Sequence, residues 1–199
     1  TCMGVHGSQD VYAALGNSCN LYFAKLANDL GAQALEKKAG EMGFNAALRF
    51  ATVEVGESQA KLEGASVNQL GWAGVGQYTL LANPYHMMAL MGAIANGGEY
   101  AQPRLTGDTS LFAGLAPGKS RQLVTAGEAT QLKSMMRNNV ENYYGDSLFP
   151  QGLQVCAKTG TGEVSEEKAP NCWMVGFCDS REYPIAFAVV VEDSNSSIE

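Results

Sequence analysis

The stretch Leu153-Gln154-Val155-Cys156-Ala157-Lys158-Thr159-Gly160-Thr161-Gly162 begins by alternating apolar with small or polar residues, the two-residue period of a strand. It then sets a cation, two hydroxyls and a residue without a side chain in a row at Lys158, Thr159, Gly160 and Thr161, a group able to hold a carboxylate. Gly160 would let a substrate backbone lie close against the strand. A Lys-Thr-Gly string is short, however, and fits an ordinary strand end equally well. Two more apolar-alternating runs follow, so that about 154–162, 172–179 and 185–192, joined by polar connectors, predict an antiparallel meander. The strand period would put Trp173, Val175 and Phe177 on one face of its middle strand and Cys172, Met174, Gly176 and Cys178 on the other.

Upstream of Pro150 the period is helical. Ser8 is placed to cap a short helix through Leu15. Residues 20–30 repeat apolar positions at Leu21, Phe23, Leu26 and Leu30, with Gly31 as a stop, and a further helix over 32–42 ends at Gly43. Pro84 suits the first turn of a helix whose Met87, Met88, Leu90, Met91 and Ile94 form a core stripe. Thr125-Ala126-Gly127-Glu128 is a capping box opening a helix to about Tyr144, with Gly145 after it. Residues 102–123, rich in Gly, Pro and Ser, read as loop. Helices and strands in separate blocks predict an α+β fold: one domain over 1–199, a helical lobe over about 1–150 followed by an antiparallel meander of about three strands over about 151–199.

A second short string, Ser18-Cys19-Asn20, lies between two helical stretches about 140 residues before Lys158. A hydroxyl and a carboxamide two positions apart can face one cavity if the turn is tight, although Ser and Asn at a helix start are commonly caps. In this order the two strings resemble the second and third signature motifs of the penicillin-binding proteins, the serine D,D-transpeptidases related to the β-lactamases. The likeness extends along the chain. His6-Gly7 with Ala13-Ala14-Leu15 resembles the family's approach to its second motif, and Asn83-Pro84-Tyr85-His86-Met87-Met88-Ala89 through Ala95-Asn96-Gly97-Gly98 its proline-containing helix. Trp173 to Phe177 and Ala186 to Glu192 look like its last strands. Gly76-Gln77-Tyr78 departs from the family's Gly-Gln-Gly, which puts the geometry of that loop in question.

The resemblance implies a partial penicillin-binding/β-lactamase-like transpeptidase fold, with further strands from upstream sequence and hence one poorly covered sheet edge. It also implies a serine that attacks the carbonyl between two D-alanines to form an acyl-enzyme, which a second stem peptide then resolves. Lys158 would supply positive potential. Ser18 would relay a proton to the leaving amine, and Asn20 would bind an amide of the acyl portion. Thr159 and Thr161 would bind the terminal carboxylate, beside Gly160, and the Thr161 N–H would donate to the oxyanion.

The family nucleophile sits in a Ser-x-x-Lys motif ahead of Ser-x-Asn, and none of the 17 residues before Ser18 forms one. Ser58-Gln59-Ala60-Lys61 and Ser165-Glu166-Glu167-Lys168 fit the pattern but come in the wrong order and read as solvated loops. The expectation is therefore the C-terminal portion of a transpeptidase domain, without its nucleophile and inactive alone. Its partners would be a peptidoglycan stem peptide ending in D-Ala-D-Ala and β-lactams, at the extracytoplasmic face of the bacterial membrane through an upstream anchor. Two other readings stay open: a non-catalytic peptide- or partner-binding domain of the same fold, and a β-lactamase or β-lactam sensor.

Composition narrows the classes further. A net charge of −7 without a basic cluster argues against nucleic acid. No apolar run approaches the roughly 20 residues that span a bilayer. Five cysteines, an odd number, read as free thiols rather than a disulfide framework. His6 and His86 are the two histidines, neither with an evident Cys, Asp or Glu partner at ligand spacing, so no metal and no cofactor are expected.

Overall fold

The computed structural model describes Cys2 and residues 4–50, 53–101, 120–164 and 168–194. Three helices come first: α1 (Val11–Gly16), α2 (Asn20–Leu30) and α3 (Ala32–Glu41). The first begins later than Ser8 would set it, because Asp10 is the N-cap and its carboxylate accepts the Ala13 N–H at 2.9 Å. Gly31 ends α2 as expected, at φ 84°, a left-handed value open to glycine.

Short β pairings interrupt the helical region where the sequence reads only helix and loop. β1 (Leu48–Phe50) pairs with β2 (Val53–Val55), and β3 (Gln59–Ala60) with β4 (Leu80–Leu81). Between the latter lies α4 (Val67–Gly74), opened by a Ser66/Gln69 capping box that the sequence reading passed over. α5 (Pro84–Ala95) carries Pro84 in its first turn behind the Asn83 cap. β5 (Glu99–Tyr100) then pairs with β6 (Arg121–Gln122), so the end of the expected 102–123 loop is strand; residues 102–119 lie outside the described residues. α6 (Ala126–Asn139) opens on the Thr125/Glu128 box and passes into a π-helical turn, Val140–Tyr144, stopped by Gly145 at φ 95°.

The meander forms in chain order and is antiparallel throughout: β7 (Val155–Gly162), β8 (Asn171–Cys178) and β9 (Ala186–Val191). Its two faces go to different neighbours, as the strand period requires. Cys156 and Phe177, with Val175 beside them, pack on Leu90, Met91 and Ile94 of α5 and Met136 of α6. Val155, Ala157 and Cys178, with Met174, pack on Val140 of the π turn. Phe177 is wholly buried, worth about 1.5–3 kcal/mol relative to an exposed side chain. β9 pairs with β8 alone among the described residues, and on one of its faces Val189 and Val191 stay about half exposed, at 50% and 46%. A second cluster, Ala27, Leu62, Leu70 and Ala73, holds α2 against α4.

Candidate functional site

The turn between α1 and α2 is tight. Ser18 N–H donates to the Leu15 carbonyl at 3.2 Å and Cys19 N–H to that of Ala14 at 2.9 Å, with Ser18 at φ 47°. Neither Ser18 nor Asn20 caps α2. Cys19 holds the N-cap position without a side-chain cap bond, and Asn20 is the first helical residue. The hydroxyl and the carboxamide therefore do no capping work for the helix they introduce.

Lys158 meets that turn from β7: its Nζ donates to Ser18 Oγ at 2.5 Å and to the Thr159 carbonyl at 2.6 Å. Burial holds the Lys158 ammonium below the usual lysine pKa, against a smaller upward pull from Tyr144. Ser18 is exposed, Lys158 and Thr159 are half-buried, and Gly160 and Thr161 are open to solvent. Ser18 and Lys158, 140 residues apart in the sequence, are thus brought into direct contact, and Thr159 to Thr161 continue the strand from Lys158. Asn20 is two residues further along the same turn, half-buried.

The outer edge of β7 shows residues that sequence reasoning missed. In an antiparallel strand alternate residues turn both backbone polar groups to the same side. Here Val155, Ala157, Thr159 and Thr161 turn theirs away from β8, and each is met by a side chain. Arg137 Nη1 donates to the Val155 carbonyl at 2.9 Å and Asn139 Nδ2 to that of Ala157 at 3.0 Å. Tyr144 Oη accepts the Thr159 N–H at 3.2 Å and the Thr159 hydroxyl at 3.3 Å. Gln77 Nε2 donates to the Thr161 carbonyl at 3.2 Å. The Gly76-Gln77-Tyr78 loop, with Gly76 at φ 84° and Tyr78 at φ 64°, therefore lies against the lysine strand. Arg137 is itself held by Glu141 at 3.0 Å and Asp146 at 2.8 Å, and Asp146 in turn keeps the guanidinium pKa above its ordinary value. The helical spacing gives no hint of a common strand edge: Arg137 and Asn139 are only two residues apart on α6, and the π turn shifts the phase of Tyr144.

Ser58 does not lie in a solvated loop. It is fully buried, accepts the Asn83 N–H at 2.9 Å and contacts His86 Nδ1 at 2.8 Å. His86 Nε2 faces the Met42 carbonyl at 3.0 Å, which can only accept, so the neutral ring donates there and takes the Ser58 proton at Nδ1. A serine sealed in this way is a structural hydrogen-bonding group and no nucleophile. Lys168 of the other Ser-x-x-Lys string is exposed; Ser165 lies outside the described residues.

Among the described residues none of the five cysteines forms a disulfide. The expectation that His6 lacks a thiol partner fails, because the α1–α2 turn carries Cys19 back onto the chain's beginning. One ligand atom each of Cys2, His6 and Cys19 lies within 4.8 Å of the other two. Burial would raise the Cys19 thiol pKa, but the nearby His6 ring, the Tyr22 backbone and the Cys2 and Gln9 side chains outweigh it and bring it down to about 7.

Comparison with known proteins gives consistent results. Residues 3–199 match the family model described as the penicillin-binding protein transpeptidase domain. The chain is 28% identical over 188 residues to the peptidoglycan D,D-transpeptidase PbpA of Mycobacterium tuberculosis, covering 90% of this chain and 38% of that protein. It is 27% identical over 191 residues to penicillin-binding protein 3 of Bacillus subtilis, covering 92% of this chain and 28% of that one. The crystal structure of the M. tuberculosis protein superposes with a TM-score of 0.83 at 25% identity, over 98% of this chain and 46% of that one. Its penicillin G acyl-enzyme complex gives 0.78 at 26% identity, over 96% and 44%. The chain thus spans less than half the length of these relatives.

Proposed function

The chain belongs to the penicillin-binding protein transpeptidase family, and from that premise we propose that it forms the Ser-x-Asn and Lys-Thr-Gly side of a peptidoglycan D,D-transpeptidase site. The observation that carries this reading is the 2.5 Å contact between Lys158 Nζ and Ser18 Oγ, made across 140 residues of chain. The nucleophilic serine, with its activating lysine, comes from a Ser-x-x-Lys motif outside Thr1–Glu199. The substrate is a stem peptide ending in D-Ala-D-Ala, which β-lactams mimic, at the extracytoplasmic face of the membrane. Among the described residues no helix is long and apolar enough to cross it.

Each residue has a role consistent with its place. Lys158, with its lowered pKa, supplies positive potential and can exchange a proton with Ser18, which passes it to the leaving amine. Asn20 offers its carboxamide, which does not cap α2, to an amide of the acyl portion. The hydroxyls of Thr159 and Thr161 bind the terminal carboxylate. The Thr161 carbonyl points away from β8, so its N–H shares that side and can serve as an oxyanion donor, a contact worth roughly 2.7–4 kcal/mol in related chemistry. A Cβ on Gly160 would meet only the Trp173 Cβ, at 3.8 Å. Internal packing does not demand glycine there, which fits a substrate backbone passing over it.

Labelled penicillin tests the proposal. The full-length protein should take one penicilloyl group on a Ser-x-x-Lys serine, residues 1–199 alone should take none, and Ser18→Ala or Lys158→Ala in the full-length protein should slow acylation by roughly a hundredfold or more. A full-length protein that folds yet never acylates would favour a non-catalytic peptide-binding domain instead.

A further inference from the structure

Cys2, His6 and Cys19 play no part in the transpeptidase reading, yet the fold gathers them at one point. The two sulfurs are 3.5 Å apart, and a ring nitrogen of His6 completes a triangle no wider than 4.8 Å. A tetrahedral zinc ion with bonds of about 2.3 Å to sulfur and 2.0–2.1 Å to nitrogen holds such atoms roughly 3.5–3.8 Å from one another, so little movement is needed to seat one. His6 Nδ1 is buried and has no hydrogen-bond partner among the described residues, a cost that a ligand would remove. The three side chains border a cavity that also touches Gln9, Leu21 and Tyr22, which leaves room for an ion to enter and for a water as fourth ligand.

We propose that Cys2, His6 and Cys19 form a binding site for zinc(II), held by two thiolates and one imidazole. The ligand set is soft to borderline, which selects zinc over magnesium or calcium. Binding releases a proton from each thiol and changes no oxidation state. Cys19 lies between Ser18 and Asn20, so an ion there ties the motif turn to the segment before α1 and fixes how Ser18 is presented to Lys158. The site is a positioning device outside the reacting atoms and stands whether or not the chain's parent protein acylates.

The test uses the untagged full-length protein, reduced, stripped of metal and titrated anaerobically with cobalt(II) and then zinc(II). The expected result is one cobalt per chain with a thiolate-to-cobalt charge-transfer absorption, displaced stoichiometrically by zinc. Cys2→Ser should weaken zinc binding by at least roughly tenfold, since even outer partners of metal ligands are worth that much. Cys2 lies outside every helix and strand, so this variant should keep its fold; His6→Ala gives an independent second reading. Absence of the charge-transfer band, or binding untouched by both substitutions, overturns the proposal. So does a Cys2–Cys19 disulfide that persists in the protein as isolated and excludes zinc.

Discussion

Tyr144 shows how a single residue outside the motifs can matter to them. Its hydroxyl accepts the Thr159 N–H at 3.2 Å and touches the Thr159 hydroxyl at 3.3 Å, one residue from Lys158. It fixes the strand at the point where the lysine leaves it. Tyr144→Phe removes both contacts while keeping the ring packed against the Val140 cluster. Loss of about 1 kcal/mol of net hydrogen bonding predicts acylation of the full-length protein slowed by about fivefold, with the melting temperature lowered by no more than about 2–4 °C. Acylation at the wild-type rate would show that the strand is held without this tyrosine.

At the scale of elements, the approach of α2 to α4 depends on a missing side chain. A Cβ at Gly74 would stand 2.4 Å from the Ala27 Cβ and 2.7 Å from the Phe23 carbonyl oxygen, distances that force one helix to move. Gly74→Ala should therefore destabilise the protein by about 1–3 kcal/mol in urea denaturation. Gly127, in the first turn of α6, offers the opposite case: the nearest atom to its added Cβ is Thr125 Oγ1 at 4.0 Å. Gly127→Ala should stabilise by about 0.4–1 kcal/mol, chiefly by limiting the unfolded chain. A Gly74→Ala protein as stable as the wild type would show the close-packing account of Gly74 to be wrong, and a destabilised Gly127→Ala protein would do the same for the account of Gly127. The capping boxes of α4 and α6 were open to reading from sequence because each is local, and only the second was read. The phase change at the π turn was not, since it depends on what α6 packs against.

For the whole molecule, the Ser58–His86–Met42 chain of contacts joins the β3 hairpin, α5 and the end of α3 around a buried imidazole. Burial chiefly, and the Arg121 charge in addition, lowers the His86 pKa, with the Met42 bond opposing. The folded state therefore binds the proton less readily than the unfolded chain, whose histidine titrates near 6.5. Stability from this group is complete above about pH 6.5 and is lost as pH falls below it. The urea midpoint should drop between pH 7.5 and pH 5.5, before the depressed carboxylates Glu128 and Asp146 begin to titrate. A midpoint unchanged across that interval would contradict the neutral, buried ring. The same buried network explains why Ser58 could not be placed from its neighbours: Gly56, Glu57 and Gln59 are polar or small, and the α5 helix that seals the serine arrives 28 residues later. What the amino-acid order determined by itself was local: the strand period of β7 to β9, the Gly31 and Gly145 stops, Pro84 in its first turn, and two short motifs whose likeness to a family pointed to the site. Contacts spanning 85 to 140 residues, such as Lys38 to Leu123 and Ser18 to Lys158, were decided by tertiary packing alone. So was the meeting of Cys2, His6 and Cys19, because sequence spacing carries no record of where a tight turn brings the chain back on itself.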